Sequence, residues 1–456
     1  MAQSGRGYGA VIPPDIYDPA VNALRFLAVD AINKAGSGHP GTPLDIAPVI
    51  YRLYTRHLRH DPADPTWPDR DRFVLSGGHA SMVLYGALHL AGYHVSLEDI
   101  RSFRQVGSPC AGHPERGLLP GIEVTTGPLG QGVANAVGLA IAERHLASRF
   151  NWDGFEVVGH RTVAECGDGD LMEGVASEAA SLAGHLGLGK LTLLYDDNRV
   201  SLDGPTEWAF SEEVGARFLA YGWHVVRLFD VDDLAAVDTA IEQAEAETER
   251  PTVVIMHSHI GIGTPLHDDH KAHGAPVGPA YAEVARELLH WPYPPFEVPD
   301  EVYATWRSQV AERAQARHQW LARFEAYRCA RPDLAAAHGG LRPFGAGSEV
   351  DVALGARDLL AKEGIGARAV SLASLELFFE RAQAERDQVL PPRLPRVVVE
   401  AASPFGWSAL AEEVVGLESF GRSGRGPDLY RLFGLTPAAV AAAAKQSLAS
   451  SAVPQR

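Results

Sequence analysis

Apolar and polar positions change period several times along the chain, and each change marks an element. Residues 1–17 hold no period, because Gly5, Gly7, Gly9, Pro13 and Pro14 interrupt them, and they read as an irregular arm. From Pro19 the spacing turns helical: Val21, Leu24, Ala28 and Ala31 share a face, with Asp18 as cap and Pro19 at the first helical position. Gly36-Ser37-Gly38-His39-Pro40-Gly41 then demands a turn. A second helix is expected near Gly132, with Val133, Val137 and Ile141 on one face. The centre alternates. Thr162–Cys166, Leu191–Tyr195, Trp223–Phe229 and Pro251–His257 read as buried strands, separated by helical stretches at Met172–Leu186 and Asp232–Glu249. This order predicts an α/β fold, a parallel sheet with helices on both faces.

Residues 301–342 change character. Trp306, Val310, Leu321 and Phe324 are placed on one helical face, Arg and Glu fill the rest, and His338-Gly339-Gly340 ends the segment, so it reads as a linker helix. A second, smaller α/β unit follows over 343–456. Its expected elements are a helix at Asp351–Lys362, strands at Ala367–Ser371 and Arg396–Glu400, and an Ala-rich helix at Thr436–Ser450. The first domain is thus expected over 18–300.

At 46% hydrophobic and 21% charged residues, the composition is that of an ordinary globular protein and excludes a disordered one. The net charge of −17 argues against a nucleic-acid partner held by general electrostatics. Phosphate ligands are not excluded, since local backbone and cations bind them. Cys110, Cys166 and Cys329 are too few and too scattered for a disulfide framework, so a reduced, cytoplasmic setting is expected. The N-terminal residues lack the basic start and apolar core of a signal peptide, and no run approaches the ~20 apolar residues of a membrane span.

Three groups of residues point to chemistry. Asp168, inside Gly167-Asp168-Gly169, and Asn198 stand 30 positions apart, each just past a strand. A carboxylate and an amide oxygen at neighbouring strand ends are hard ligands suited to Mg²⁺ or Ca²⁺, and the flanking glycines let backbone approach a diphosphate. Taken alone, the motif is also what ordinary turn chemistry produces. Second, His39, His79, His113 and His273 all sit in Gly/Pro-rich stretches, where packing does not demand them. Neutral imidazoles suit hydrogen bonds to hydroxyls and phosphates, and proton transfer near neutrality. Third, Gly127-Pro128-Leu129-Gly130-Gln131-Gly132 opens a helix, a weak anion signal by itself.

In this order SGHPG, SGGHAS, GHPE, TTGPLGQG, CGDGDLMEG, LYDDN and HGAP resemble the N-terminal diphosphate-binding domain of transketolase, a thiamine diphosphate (ThDP) enzyme, over about residues 18–330. The resemblance implies that Asp168, Asn198 and the carbonyl of Val200 hold the metal. It implies that His79, Gly169 and His273 contact the cofactor diphosphate, that Gly127 and Leu129 lie beside the cofactor, and that His39, His113 and His273 face the substrate. Glu173 is similar to a carboxylate that links two active sites across a dimer; as a residue it is equally an exposed glutamate in a first helical turn. One loop departs from the family: TPLHDDHKA, between Gly263 and His273, replaces a Lys- and Gly-containing stretch. Gly347-Ser348-Glu349-Val350, Val370-Ser371, Glu376-Leu377-Phe378, Val399-Glu400-Ala401, Phe405-Gly406-Trp407 and Leu432-Phe433-Gly434 resemble the transketolase C-terminal domain.

Between those two domains the family carries a pyrimidine-binding domain, and no segment here resembles it. It holds the glutamate that activates the cofactor's aminopyrimidine, the aromatic platform and most of the basic grip on a sugar phosphate. Leu341–Ala346, where the last domain should open with an apolar strand, contains Pro343 and Gly345 instead. The expected activity is transfer of a two-carbon ketol unit from a ketose or ketose phosphate to an aldehyde. The chain would act as a homodimer, with a separate subunit supplying the pyrimidine-binding domain. Other readings stay open: a diverged cleft doing different chemistry on a sugar or phosphate ligand, a non-catalytic binding or scaffold protein, and a deletion product.

Overall fold

The computed structural model describes residues 18–332, 334–335, 349–371, 378, 381, 383–390, 395–400, 411, 413–417 and 426–451. The expected arm at 1–17, the strand at Leu341–Ala346, and the matches at Glu376-Leu377, Ala401 and Phe405–Trp407 lie outside them. Two compact units divide after Ala335.

The first unit is built on five parallel strands: β1 (Arg72–Leu75), β2 (Thr162–Gly167), β3 (Leu191–Asp197), β4 (His224–Leu228) and β5 (Thr252–His257), in the order β1-β2-β3-β5-β4. β1 is a strand that the apolar pattern did not separate from its surroundings; it is four residues long. The side chains alternate between two cores. Val163, Leu194, Val254 and Met256 face one, with helices Pro19–Ala35, Ala47–Arg52 and Ser81–Ala91. Ala164, Cys166, Leu193, Tyr195, Val253 and Ile255 face the other, with helices Gln131–Phe150, Gly174–Leu186 and Val214–Ala220. Two covered faces explain why the strands read as nearly continuous apolar runs.

The opening helix is capped as expected, with Asp18 accepting from the Ala20 N–H at 2.7 Å. It is buried far beyond one face, from Ala20 through Ile32, because other helices pack around it, Ala47–Arg52, Ser81–Ala91 and Asp300–Ala330 among them. That burial includes a charge. Arg25 is fully buried; its Nη2 donates to Asp232 Oδ1 at 2.6 Å, its Nε to the Leu44 carbonyl at 2.8 Å and its Nη1 to Asn22 Oδ1 at 3.2 Å. One guanidinium therefore joins the first helix, the turn after it and the loop beyond β4.

Helix Asp300–Ala330 is fastened to this unit by three aromatic side chains. Trp306 Nε1 donates to the Ala20 carbonyl at 3.0 Å, Trp320 Nε1 to that of Val157 at 2.8 Å, and the Tyr327 hydroxyl to that of Phe150 at 2.7 Å. The inward face is thus Trp306, Val310, Trp320 and Tyr327, and Leu321 is exposed rather than inward. Aromatics with a polar tip can bury their bulk and still satisfy a carbonyl. The helical stretch expected at Met172–Leu186 is broken at Glu173, between helices Asp168–Met172 and Gly174–Leu186.

In the second unit, helices Glu349–Lys362 and Pro437–Ser451 pack through Val352, Ala356, Leu360, Val440 and Ala441. Strands β6 (Val397–Val399) and β7 (Glu413–Val415) pair in parallel beside them. Ala367–Ser371 is not a strand: these residues are described without a ladder, so the alternation there did not find a pairing partner among the described residues.

Arg25→Ala should lower the stability of the first unit by roughly 3–5 kcal/mol, because Asp232 is left buried and unpaired. The exposed Arg357–Asp358 pair is a contrast, and Arg357→Ala should cost no more than about 0.5 kcal/mol. Urea unfolding curves of the two variants check this; equal midpoints would contradict it.

Candidate active site

The carboxyl ends of β1 and β2 and the glycine loop after Thr126 are gathered by one side chain. Asp170 is wholly buried and accepts from Ser76 Oγ at 2.6 Å, from the Gly130 N–H at 2.8 Å and from the Gly167 N–H at 3.1 Å. Ser76 Oγ accepts in turn from the Val133 N–H at 3.1 Å. The end of β1, the end of β2 and the glycine loop opening helix Gln131–Phe150 therefore meet on one carboxylate. The glycines are required. Gly130 has φ +75°, and a Cβ on Gly132 would lie 2.4 Å from Ser76 Cα.

Beside this knot stand the expected cation ligands. Gly167 pairs with Asp196 in register, so Asp168 and Asp197 leave β2 and β3 side by side. Asp168 is buried and accepts from the Tyr195 hydroxyl. Burial pushes its carboxyl up to about 7, against the Tyr195 bond, and the charges of Asp196 and Asp197 add to the rise. Burial also lifts Asp196 to about 6 although Ser258 and Asn198 donate to it, Asn198 Nδ2 at 2.7 Å. Asn198 Oδ1 accepts from the Val200 N–H at 3.0 Å, across Arg199 at φ +61°. A buried carboxylate raised this far by desolvation and like charge is one that a cation would relieve. Leu129 packs on Gly169, where a Cβ would come within 3.0 Å of Leu129 Cδ1.

Three of the four histidines come together. Ring centroids are 5.1 Å apart for His39–His79, 5.1 Å for His79–His273 and 5.8 Å for His39–His273. His113 lies beside Gly127, where a Cβ would sit 3.5 Å from His113 Cγ. His273 is carried by the short helix Lys271–Gly274 and not by a loop, and the divergent TPLHDDHKA stretch still delivers it to His79. Burial first, then the neighbouring imidazoles, depress His39 to about 4 and His79 to about 3; burial depresses His113 and His273 as well. Near neutral pH the recess thus holds uncharged imidazoles. His39 Nδ1, His273 Nδ1 and Thr126 Oγ1 are buried without a hydrogen-bond partner among the described residues, so they can take a polar group. Glu173 stays outside this group, exposed at the start of helix Gly174–Leu186 and against Gly130.

Several of these residues escaped the sequence reading. Asp170 stood inside a recognised motif, and its signal was its position: the third residue of a helix whose cap is a glycine that offers a free N–H. Tyr195 and Thr126 carried no signal, since one ended an apolar run and the other preceded a glycine. Glu165 sits in a strand read as apolar; its carboxyl is buried and pushed well up, by burial and then by the charges of Asp170 and Asp196.

Imidazoles depressed from 6.5 to about 3–4 make the folded state refuse protons that the unfolded chain binds, so stability should fall as pH drops through that window. In His79→Asn the denaturation midpoint, followed from about pH 7 to about pH 4, should decline less steeply. An unchanged slope would show that His79 is not held neutral by burial.

Comparison with known proteins bears on this arrangement. Residues 16–340 match the family model for the thiamine diphosphate binding domain of transketolase, and residues 334–436 match that for the transketolase-like C-terminal domain. The two matches adjoin, so the pyrimidine-binding domain expected between them is absent. Transketolase from Geobacillus stearothermophilus is 52% identical over 324 residues, 70% of this chain and 48% of the relative, so the chain spans about half the length of the curated relatives it matches. Among solved structures, transketolase from Leishmania mexicana aligns with TM-score 0.70 at 26% identity, over 97% of this chain and 99% of that one. Pichia stipitis transketolase in complex with sedoheptulose 7-phosphate aligns with TM-score 0.69 at 28% identity, over 96% and 98%. With most of its length matched by the family model, the chain belongs to the transketolase family.

Proposed function

We propose that this chain is the diphosphate-binding and C-terminal part of a ThDP-dependent ketol transferase, with the pyrimidine-binding domain supplied by another chain. What supports the reading is the buried, acid-crowded Asp168 at a strand end together with the direct passage from one family match to the next. Asp168, desolvated and crowded by acids, is suited to a cation, and His39 Nδ1, His273 Nδ1 and Thr126 Oγ1 have no hydrogen-bond partner among the described residues. The residues therefore fit a diphosphate with its metal. Asp168, Asn198 and the carbonyl of Val200 would hold Mg²⁺ or Ca²⁺; His79, Gly169 and His273 would take the diphosphate; Gly127 and Leu129 would flank the cofactor. Bound there, ThDP supplies an electron sink for breaking a carbon–carbon bond beside a carbonyl.

The chain's own residues do the rest. Neutral His39, His113 and His273 donate to and accept from the hydroxyls of a sugar or sugar phosphate, the class that the Pichia stipitis complex binds, and can pass a proton at a ring nitrogen. The Asp170 knot holds the glycine loop in place before any ligand arrives, so little order has to be gained on binding. Glu173, exposed beside Gly130, is available to a second copy of the chain in a homodimer. Three free cysteines are in keeping with a reducing, cytoplasmic compartment. No helix among the described residues is long and apolar enough to cross a membrane.

Calorimetric titration should show ThDP binding only with Mg²⁺ present, and Asp168→Ala should abolish it. Binding that survives in this variant would sink the assignment of the metal site. The chain alone, given ThDP and Mg²⁺, should show no appreciable ketol transfer, because acid–base assistance worth ~10²–10⁴ in rate is missing with the pyrimidine-side carboxylate. Adding a chain that carries the pyrimidine-binding domain should restore turnover. Robust transfer by the single chain would refute the divided enzyme.

A further inference from the structure

The stretch that departs from the family carries an arrangement of its own. His259 Nδ1 stands 3.1 Å and 3.2 Å from the two oxygens of Asp268, and His267 Nε2 stands 3.5 Å from Asp268 Oδ2. The three ligand atoms all lie within 4.8 Å of one another. Metal–nitrogen bonds of ~2.0–2.1 Å put neighbouring ligands of a tetrahedral ion about 3.3 Å apart, close to the spacings found here. Two imidazoles and one carboxylate form a borderline donor set suited to Zn²⁺, Co²⁺ or Ni²⁺ and poorly suited to Mg²⁺.

The loop is built to hold these groups. Asp268 adopts φ +57°, a left-handed conformation, and its N–H donates to the Ile260 carbonyl at 2.9 Å. Thr264 Oγ1 donates to the Gly261 carbonyl at 2.7 Å and accepts from the Leu266 N–H at 3.1 Å, and the His267 N–H donates to the Thr264 carbonyl at 3.2 Å. Successive turns thus bring residues 267–268 back to 259. On its inner side, Ile260 and Ala272 pack with Val200, next to the expected cation ligands. On its outer side the imidazoles and the carboxylate stay accessible, at 46%, 36% and 53% side-chain exposure for His259, His267 and Asp268.

We propose that His259, His267 and Asp268 form a second metal site, distinct from the diphosphate site, for a divalent transition ion of the Zn²⁺ class. Three protein ligands leave one position for water or for a group brought by a partner or substrate. The ion would pin the turn at 267–268 to the end of β5, on the connection that also carries His273.

Zinc titration of the full chain in excess Mg²⁺ tests this independently of ThDP binding. One Zn²⁺ per chain is expected. His267→Ala and Asp268→Asn should each weaken it at least ten-fold with an unchanged far-ultraviolet circular dichroism spectrum, since all three side chains are exposed. Co²⁺ should give the visible d–d bands of a tetrahedral site, lost in His267→Ala. Asp168→Ala, which removes the diphosphate site's carboxylate, should leave the zinc titration unaltered. Absence of zinc binding would overturn the proposal and reduce the cluster to a His–Asp ion pair. Equal binding in all variants, or loss of binding in Asp168→Ala, would overturn it too, because the ion would then sit elsewhere.

Discussion

The site depends on a buried carboxylate that no ligand touches in this arrangement. Asp170 offers two oxygens to three donors from three segments, and burial makes each of those bonds costly to lose. Without it, the end of β1, the end of β2 and the helix at Gln131–Phe150 would have no common anchor. Those segments bear His79, Asp168 and Gly127–Leu129. The placing of the candidate cofactor residues is therefore a consequence of how one polar group is satisfied inside an otherwise apolar fold.

Around that anchor, charge is arranged by desolvation. On one side, acids are crowded: Asp168, Asp196 and Glu165 are all raised, first by burial and then by neighbouring acids, Asp197 and Asp170 among them. On the other, imidazoles are crowded and held neutral. A recess with a cation-seeking wall and a neutral, hydrogen-bonding wall is suited to an anionic ligand that brings its own metal. Burial disfavours the charged form of the groups on both walls.

The loop between β5 and His273 has two unlike faces. On the inner one Ile260 and Ala272 pack against Val200, a Cβ on Gly41 would meet Ile260 at 2.6 Å, and His273 reaches His79. The outer face is free of these contacts, and there the sequence has gathered two histidines and an aspartate. Packing constrains one side of the loop and leaves the other open to new chemistry.

The sequence by itself determined the α/β alternation, the strands β2 to β5 to within a few residues, the capped first helix, and the residues at the strand ends. These are local or periodic properties, set by side-chain spacing and by glycine. Tertiary structure alone decided what required distant partners. The inward face of the long helix turned on Trp320, whose indole N–H reaches the Val157 carbonyl while Leu321 stays exposed. Four-residue β1 is a strand only because β2 lies beside it. Asp170 and Tyr195 acquire roles through atoms many positions away, and the 259–268 cluster exists because a left-handed Asp268 folds the chain back on itself. Hydrogen-bond satisfaction in a buried site is a three-dimensional condition, and spacing along one chain does not encode it.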